Sequence, residues 1–300
     1  MKHNTPKKYA SLDEAIREIF GEKAAIKTRT PVHGGDINDA YCIALANGEE
    51  AFLKTNSRAK EDFFAAEAAG LAALKSAGAN TPDVLGWGET GGGGFLLLGC
   101  VRSSKKRSAY WEELGHMLAQ VHQAATAPLV PGGSYGFSED NYIGNTRQKN
   151  APCEGWVDFF RERRLGFQMQ LAAPYLGSED MRRARYLLGR LGSLLAEPGR
   201  PSLLHGDLWG GNVMADEEGR AMLIDPAVYV GHSEADIAMT ELFGGFPPRF
   251  YAAYHEAVPR EPGYDERREI YNLYHLLNHL NLFGASYLPP VRRILEKYAG

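Results

Sequence analysis

The chain has 300 residues, of which 44% are hydrophobic, and its formal net charge at pH 7 is −4. This length suits one large domain or two lobes with a sizeable core, and the slightly acidic balance disfavours a general nucleic-acid binder. No apolar run approaches the roughly 18 residues that a membrane-spanning helix needs, so we expect neither a nucleic-acid partner nor a membrane partner.

The first hundred residues predict a small sheet with two helices. Ser11 and Glu14 have the spacing of a capping box and an apolar face follows them, which predicts a short helix over residues 11–20. Alternating apolar residues and turn signals then predict three strands and a longer helix, at residues 25–32, 40–46, 50–55 and 60–77. Two further strands are predicted near residues 81–88 and at residues 95–98.

A glycine pair lies between the first two predicted strands. Gly34 and Gly35 stand in a turn where the missing side chains let backbone N–H groups approach a phosphate. The complete glycine-rich motif is absent, so a plain hairpin turn explains the pair about equally well.

Lys54 ends the third strand, as the phosphate-binding lysine of kinases does. We predict that Glu67, on the helix that follows, holds this lysine across the lobe. Glu61 and Asp62 are alternatives, although they lie near the helix start, where acidic residues also stabilise the helix dipole. A solvated lysine and an exposed helix charge are the plainer interpretations of Lys54 and Glu67.

A change of composition marks the predicted hinge. Gly99, Cys100 and Val101 leave an apolar strand for a polar segment that contains the basic run 105–107, which we interpret as a solvated loop. The prediction is an N-terminal nucleotide-binding lobe at residues 1–101 and a catalytic, substrate-binding lobe at residues 102–300. Backbone groups of these three residues could bind the edge of adenine, and a simple strand end is the alternative.

The second lobe is predicted to be mainly helical. Helical spacing recurs at residues 110–124, 156–171 and 179–196. Residues 128–153 are rich in Gly, Pro, Asn and Ser, so we interpret them as a long loop that could form one wall of a substrate pocket. The arginines of the second of these helices are interpreted as a solvated face, namely Arg161, Arg163 and Arg164.

The central motif is His205-Gly206-Asp207 with Asn212 five positions after the aspartate, followed by Asp225 at the end of a short apolar strand. This spacing matches the catalytic loop and metal-binding aspartate of protein kinases. Phosphoryl transfer requires positioning and neutralisation of phosphate charge. Asp207 would accept the proton of a substrate hydroxyl, and Asn212 and Asp225 would offer the oxygen ligands that Mg²⁺ prefers. An ordinary turn before a hairpin is the plainer interpretation.

Three polar residues of the later helices complete the candidates. Asp236 opens an apolar helix, and we predict that it is a buried cap that braces the catalytic loop. His275 and His279 stand at i,i+4, which in principle suits zinc. No third ligand is obvious, so core or substrate-facing histidines are favoured.

Several segments together are more specific than a general kinase pattern. By them the chain resembles the fructosamine/ketosamine-3-kinase family, a branch of the aminoglycoside-phosphotransferase-like kinases, from about residue 30 to 297. The segments that carry the resemblance are Trp156–Leu165, His205–Asn212 with its Trp209, Asp225–Tyr229, Met239–Phe246 and Tyr274–Gly284.

The resemblance implies an α+β, bilobal protein-kinase-like fold, with a small antiparallel N-lobe sheet plus helix and a larger helical C-lobe. It implies transfer of phosphate from ATP with Mg²⁺ to the 3-hydroxyl of fructosamine or ribulosamine adducts on lysine, on small amines or on glycated proteins. The 3-phosphate then promotes loss of the sugar. By this likeness Asp207 is the base, Trp209 and His279 contact the sugar, and Lys54 pairs with Glu67. By the same likeness residues 99–101 hold adenine. We separately expect a monomer or weak dimer.

Two departures from the family pattern and two rival functions stay open. Asp36 stands where many relatives carry cysteine in the phosphate loop, so we predict no redox control through that loop. Gly99 stands where relatives commonly carry glutamate, a change that backbone contacts survive. The rivals are a kinase for an aminoglycoside, choline or another amino-alcohol, and a non-catalytic nucleotide-binding module.

Cysteine usage and the N-terminus bear on location. The three cysteines, Cys42, Cys100 and Cys153, are widely spaced in the sequence and form no zinc pattern. The basic N-terminus, residues 1–8, lacks a following apolar segment. A reducing, cytoplasmic location is the simplest expectation.

Overall fold

The computed structural model describes residues 6–32, 38–59 and 62–299. Six strands form one sheet in the order β1-β5-β6-β4-β3-β2, in which β1 runs parallel to β5 and all other neighbours are antiparallel. The strands are β1 Lys7–Lys8, β2 Ile26–Pro31, β3 Asp39–Leu45, β4 Glu50–Asn56, β5 Val84–Thr90 and β6 Gly93–Gly99, and the helices are α1 Leu12–Phe20 and α2 Phe63–Ser76. The predicted strands and helices are confirmed, whereas the short parallel strand β1 was not predicted.

The two faces of this sheet carry different helices because side chains alternate along each strand. Phe95 and Leu97 of β6 belong to a buried cluster with α1, whereas Leu96 and Leu98 pack with α2. On β4, the same alternation sends Lys54 to the α2 face, where Glu67 lies. The sheet therefore turns its one buried lysine towards the helix that carries the predicted partner.

The start of α1 uses the predicted cap with one difference. The Oγ atom of Ser11 accepts a hydrogen bond from the N–H of Glu14 at 3.2 Å. The Glu14 carboxylate accepts from the N–H of Ala10 at 2.6 Å, one residue before the position that a capping box uses. The helix begins where the sequence predicts, but the reciprocal bond is displaced by one residue.

The rest of the chain is mainly helical, with short hairpins between the helices. Its helices are α3 Tyr110–Gln123, α4 Trp156–Phe159, α5 Phe167–Leu171, α6 Ser178–Leu194, α7 Glu234–Leu242, α8 Pro248–Ala257, α9 Tyr264–Phe283 and α10 Leu288–Ala299. Its strands are β7 Asn141–Ile143, β8 Thr146–Gln148, β9 Ser202–Leu204, β10 Val213–Ala215, β11 Ala221–Leu223 and β12 Tyr229–Gly231. Among the residues described, every helix is too short or too polar to cross a membrane. The division into lobes after residue 101 stays a prediction.

The segment 128–153 is not the structureless loop that its composition suggested. It contains the hairpin β7–β8, and two buried amides on that hairpin donate to the backbone just after Asp225. Asn141 donates to the carbonyl of Val228 at 2.7 Å, and Gln148 donates to the carbonyl of Ala227 at 2.9 Å. The prediction of a loop failed because, in a sequence, Asn and Gln side chains that are buried and bonded to backbone cannot be distinguished from the exposed polar residues of a loop.

The helix predicted at residues 156–171 forms, with a π-helical stretch at Phe160–Gly166 between α4 and α5. The interpretation of Arg164 as solvated is wrong, because its side chain is fully buried. Its guanidinium lies 3.9 Å from the centre of the Tyr229 ring and donates to the carbonyl of Lys149 at 2.6 Å and to Asn150 at 2.8 Å. Aromatic faces and amide oxygens thus replace the water that a buried cation loses.

Both ends of α2 are attached to the helical part of the chain. Before its first turn, the Asp62 carboxylate accepts a bond from the Tyr142 hydroxyl at 2.5 Å and pairs with Arg147 on the hairpin β7–β8. Beyond its last turn, Asn80 accepts from the N–H of Leu223 at 2.9 Å and donates to Asp216 at 3.0 Å. The helix that carries Glu67 therefore connects the sheet with the hairpin β7–β8 and with residues 216–223.

Buried neutral histidines make the stability of the fold depend on pH. His232 is 1% exposed, and burial lowers its pKa to about 4. The nearby Glu234 carboxylate is already bonded by Arg267 at 2.6 and 2.7 Å, so it cannot compensate an imidazolium. Between pH 6.5 and 4 only the unfolded state binds this proton, so the free energy of unfolding falls as pH falls. We expect His232 alone to account for about 2 kcal/mol of loss between pH 7 and pH 5.

Urea unfolding at the two pH values measures this effect. The variant His232→Asn should lose about 2 kcal/mol less than the wild type over the same interval. His275, whose pKa burial lowers to about 3, contributes in the same sense and remains in both proteins. An equal pH dependence in the two proteins would contradict the assignment to His232.

Candidate active site

A cleft of about 470 Å³ lies between the sheet and the helical part of the chain. It brings together seven of the predicted site residues, namely Lys54, Glu67, Asp207, Trp209, Asn212, Asp225 and His279. Gly99, Cys100 and Val101 are not part of its described lining, and Gly34, Gly35 and Asp36 lie outside the described residues. The residues predicted for catalysis, metal and substrate thus share one cavity.

At one end of the cleft, one lysine is held by two carboxylates. The ammonium of Lys54 lies 2.6 Å from Glu67, and it also pairs with Asp225. Burial lowers the pKa of Lys54, but the two carboxylates outweigh burial and leave the pKa raised, so the lysine stays charged. The predicted pairing of Lys54 with Glu67 is present, and Lys54 also contacts the aspartate predicted to bind metal.

Asp236 holds the loop that carries Asp207, as the sequence predicted, but it is not a helix cap, because α7 begins at Glu234 and its N-cap position is Ser233. Its carboxylate accepts from the N–H of His205 at 2.7 Å and from that of Gly206 at 2.9 Å, and it contacts His122 at 3.2 Å. Burial acts to raise the pKa of Asp236, but His122 and the backbone donors prevail and lower it. The carboxylate at the start of α7 therefore remains ionised and holds the loop that carries Asp207.

Gly206 is required by a close approach of two backbone segments. Its φ is +83°, and a Cβ atom placed there would lie 2.0 Å from the carbonyl oxygen of Ala227. Only glycine fits both conditions. Asp225 also has a positive φ, 53°, a conformation that aspartate adopts more readily than most residues.

Asp207 has the surroundings of a general base. Its side chain is 22% exposed, and Asn212 donates to its backbone oxygen at 2.8 Å and to its Oδ2 atom at 3.1 Å. Burial raises the pKa of Asp207 to about 7, with Asp225 adding to the rise and Asn212 opposing it. A carboxylate with a pKa near neutrality is a better proton acceptor than an ordinary aspartate, yet remains partly ionised at pH 7.

Asn212 and Asp225 fit a divalent cation by the chemistry of their donor atoms. Because both described bonds of the Asn212 side chain use its nitrogen, no described residue donates to its amide oxygen. The Asp225 side chain is 49% exposed to the cleft and supplies an anionic oxygen. An amide oxygen and a carboxylate are the ligand types that Mg²⁺ uses.

The opposite end of the cleft is aromatic. Trp209 is 39% exposed, and its ring meets Phe243 at 6.2 Å between centroids; Phe243 in turn lies 4.9 Å from His279. Asn278 and Phe283 of α9 complete this wall, and neither was predicted from the sequence. For Phe283 the signal was available, because helical spacing puts the residue four positions after His279 on the same face of the helix. Asn278 directly precedes His279, so this spacing gives no signal for it.

The structure does not support zinc binding by His275 and His279. The Nδ1 atom of His279 is bonded to the carbonyl of His275 at 2.8 Å. Within the described ranges, the one group of three possible metal ligands is His232 with Glu234 and Glu261, which does not include the pair. That group is not suited to a metal either. The Nδ1 atom of His232 accepts from the backbone N–H of Glu234 at 3.2 Å, so the ring proton is on Nε2 and leaves no lone pair there for a metal.

The predicted hinge, residues 99–101, has one backbone donor already used and one cysteine in contact with another. The N–H of Gly99 donates to the carbonyl of Asp83 at 2.8 Å, so it is not available to adenine. Cys42 and Cys100, far apart in the sequence, have sulfur atoms 3.7 Å apart. Burial and the Cys42 thiol raise the pKa of Cys100 to about 11, which keeps it a weak nucleophile. The adenine-binding role of the hinge stays a prediction.

Comparisons with known proteins agree with this arrangement. The family model for fructosamine kinases matches residues 8–299. A probable ketoamine kinase of Synechocystis sp. is 38% identical over 306 residues, covering 99% of both proteins. A probable ketoamine kinase of Enterococcus faecium is 42% identical, covering 89% of this chain and 94% of that protein. A chloroplastic protein-ribulosamine 3-kinase of Oryza sativa subsp. indica is 36% identical, covering 93% and 80%.

Solved structures give the same result for the fold. A crystal structure from Haemophilus somnus, described as a candidate fructosamine-3-kinase, superposes with a TM-score of 0.86 at 31% identity, covering 97% of both chains. The aminoglycoside phosphotransferase APH(4)-Ia superposes with a TM-score of 0.67 at 17% identity, covering 97% and 99%, and shares the fold alone. The fold is therefore α+β and protein-kinase-like, as expected, and the chain belongs to the fructosamine kinase family.

Proposed function

We propose that this protein is a ketosamine kinase. It transfers the γ-phosphoryl group of ATP to the 3-hydroxyl of a fructosamine- or ribulosamine-type adduct on lysine or a small amine. The observation that carries this proposal is the shared cleft, in which a lysine–glutamate pair, Asp207 and an aromatic wall face one another. The non-catalytic alternative is disfavoured because Lys54, Asp207, Asn212 and Asp225 all line that cleft.

Asp207 is the general base in this proposal. It accepts the proton of the attacking hydroxyl while the new oxygen–phosphorus bond forms and the bond to the ADP oxygen breaks. Lys54 positions the nucleotide phosphates by its charge, and Glu67 fixes the lysine. Asn212 and Asp225 would hold Mg²⁺, which would neutralise the charge of the phosphates.

The chemistry of the acceptor end favours a sugar over a polycation. Trp209 offers an aromatic face to the C–H surface of a sugar, and His279 and Asn278 offer polar groups beside it. Among the described lining residues of that end, Asp207 supplies the acidic group. A polycationic aminoglycoside would be better matched by several carboxylates. The exposed ring of Trp209 at the rim also leaves access for an adduct carried on a protein surface.

An acceptor panel tests the proposal. ADP release is measured with Mg²⁺-ATP against ribuloselysine, fructoselysine, a glycated protein, kanamycin and choline, with and without a chelator. We expect turnover on the ketosamines, abolished by chelation and restored by Mg²⁺. Turnover on kanamycin or choline alone would contradict the ketosamine assignment while keeping the kinase. ATP binding without turnover on any acceptor would favour the non-catalytic module.

A further inference from the structure

His275 is a buried histidine that faces the proposed base and that no role described above uses. It lies on α9 and is 3% exposed. Its Nδ1 atom lies 4.0 Å from the Oδ1 atom of Asp207, beyond hydrogen-bond distance. That nitrogen is shielded from solvent and has no hydrogen-bond partner in the described part of the chain. An unpaired polar atom in the interior is costly and calls for an explanation.

The residues around His275 determine the position of its ring and which ring nitrogen carries the proton. On one side Tyr274 donates to Gln148 at 2.6 Å, and on the other Asn278 accepts from Gln168 at 3.1 Å, so α9 is held in place around it. Burial lowers the pKa of His275 to about 3, His279 and Arg164 act in the same direction, and the opposing effect of Asp236 is outweighed, so the ring is neutral. The nearest described carboxylate oxygen is that of Asp207, and a lone pair turned towards an anion would be repelled. The Nδ1 atom therefore carries the ring proton.

The Asp207 carboxylate is approached from two sides. Asn212 donates to Oδ2 at 3.1 Å, and Oδ1 faces His275. A neutral N–H···O⁻ bond has a length of about 2.9 Å, so a shift of about 1 Å by the carboxylate would close the gap. Each carboxylate oxygen has two acceptor positions, so Oδ1 can accept from His275 and still receive the proton of a substrate hydroxyl.

We propose that His275 is a positioning residue for Asp207. In the working complex its Nδ1–H donates to Oδ1, and together with Asn212 it sets the plane of the carboxylate. This inference rests on the proposed function, since it takes Asp207 to be the base. A neutral donor orients the carboxylate and leaves its negative charge in place. An arginine or a lysine at the same position would instead neutralise that charge.

Three substitutions separate a donor role from a packing role. His275→Leu removes the donor and fills the space of the ring with an apolar side chain of similar volume. His275→Asn keeps an amide N–H near the position of Nδ1, and His275→Gln moves that N–H farther out. We expect kcat of the Leu variant to fall about 10- to 100-fold, with KM for ATP and for the acceptor within about twofold. The Asn variant should recover most of kcat and the Gln variant should not. Should the Leu variant fail to fold in a thermal melt, the comparison of Asn with Gln decides.

Two controls distinguish the possible failures. His232→Asn makes the same substitution at another buried histidine outside the cleft, and it should leave kcat unchanged. In an Asp207→Asn background, His275→Leu should cause no further loss, because the group that it positions is already gone. Equal activity of Asn and Gln variants, or a loss confined to KM, would overturn the role of His275.

Wild-type turnover is measured first. Its absence on every ketosamine contradicts the proposed function, and the same variants are then compared on whichever acceptor is phosphorylated. Wild-type turnover with an unaffected His275→Leu variant contradicts the role of His275 alone.

Discussion

Asp207→Asn is expected to lower kcat by about 10²- to 10⁴-fold, the contribution of a positioned general base. The amide is nearly the same size as the carboxylate but cannot accept the proton of the acceptor hydroxyl. Binding of ATP should change little, because Lys54 and Glu67 remain paired at 2.6 Å on the other side of the cleft. Steady-state ADP release gives kcat, and equilibrium titration gives the dissociation constant for the nucleotide.

The matched control for this variant is Asp180→Asn. Asp180 is also buried, but it accepts from the backbone N–H of Gly177 at 3.0 Å and pairs with Arg292 at 2.9 Å, outside the cleft lining. Its variant should keep kcat within about twofold while losing some stability. Retention of more than a tenth of wild-type kcat by Asp207→Asn would contradict the assignment of the base.

Asp236→Ala is expected to cost about 3–5 kcal/mol in the free energy of unfolding. It leaves the N–H groups of His205 and Gly206 without their acceptor and removes the carboxylate partner of His122. Because Asp207 directly follows these two residues, its carboxylate should shift when they lose their acceptor. A shift of about 1 Å should lower kcat by up to about 10²-fold.

Urea unfolding and ADP release on the same preparations measure both effects. Asp236→Asn is the graded control, since its amide oxygen can still accept one of the two backbone bonds. Its stability should lie between those of the wild type and the Ala variant. An Ala variant as stable as the wild type would show that the loop holds itself without Asp236.

The sequence was informative wherever chemistry requires a fixed spacing. Asp207, Asn212 and Asp225 could be selected because a base and two oxygen ligands follow one another at set intervals. Asp236 could be proposed because acidic residues are favoured in the first turn of a helix and the helix that follows it is apolar; its bonds to the catalytic loop could not be read from the sequence. The alternation of apolar residues also gave the strands from β2 to β6.

The failures share a physical cause. Arg164 was assigned to solvent because an isolated helix gives no sign that Tyr229, 65 positions later, will cover its guanidinium. Residues 141–148 were assigned to a loop because their amides satisfy the backbone of a distant segment. Contacts between residues far apart in the chain decide these cases, and local propensity cannot report them.

The attachment of α2 at both ends has a mechanical consequence. Asp62 is bonded to the hairpin β7–β8 and Asn80 to β11, while Leu96 and Leu98 of the sheet pack against the same helix. Lys54 belongs to the sheet, and Glu67 belongs to this helix. The ion pair between them, at 2.6 Å, therefore adds a bond between the sheet and α2. The second partner of Lys54 is Asp225, which follows β11 in the other wall of the cleft. A separation of the two walls would stretch this second ion pair, so its electrostatic attraction favours the closed arrangement.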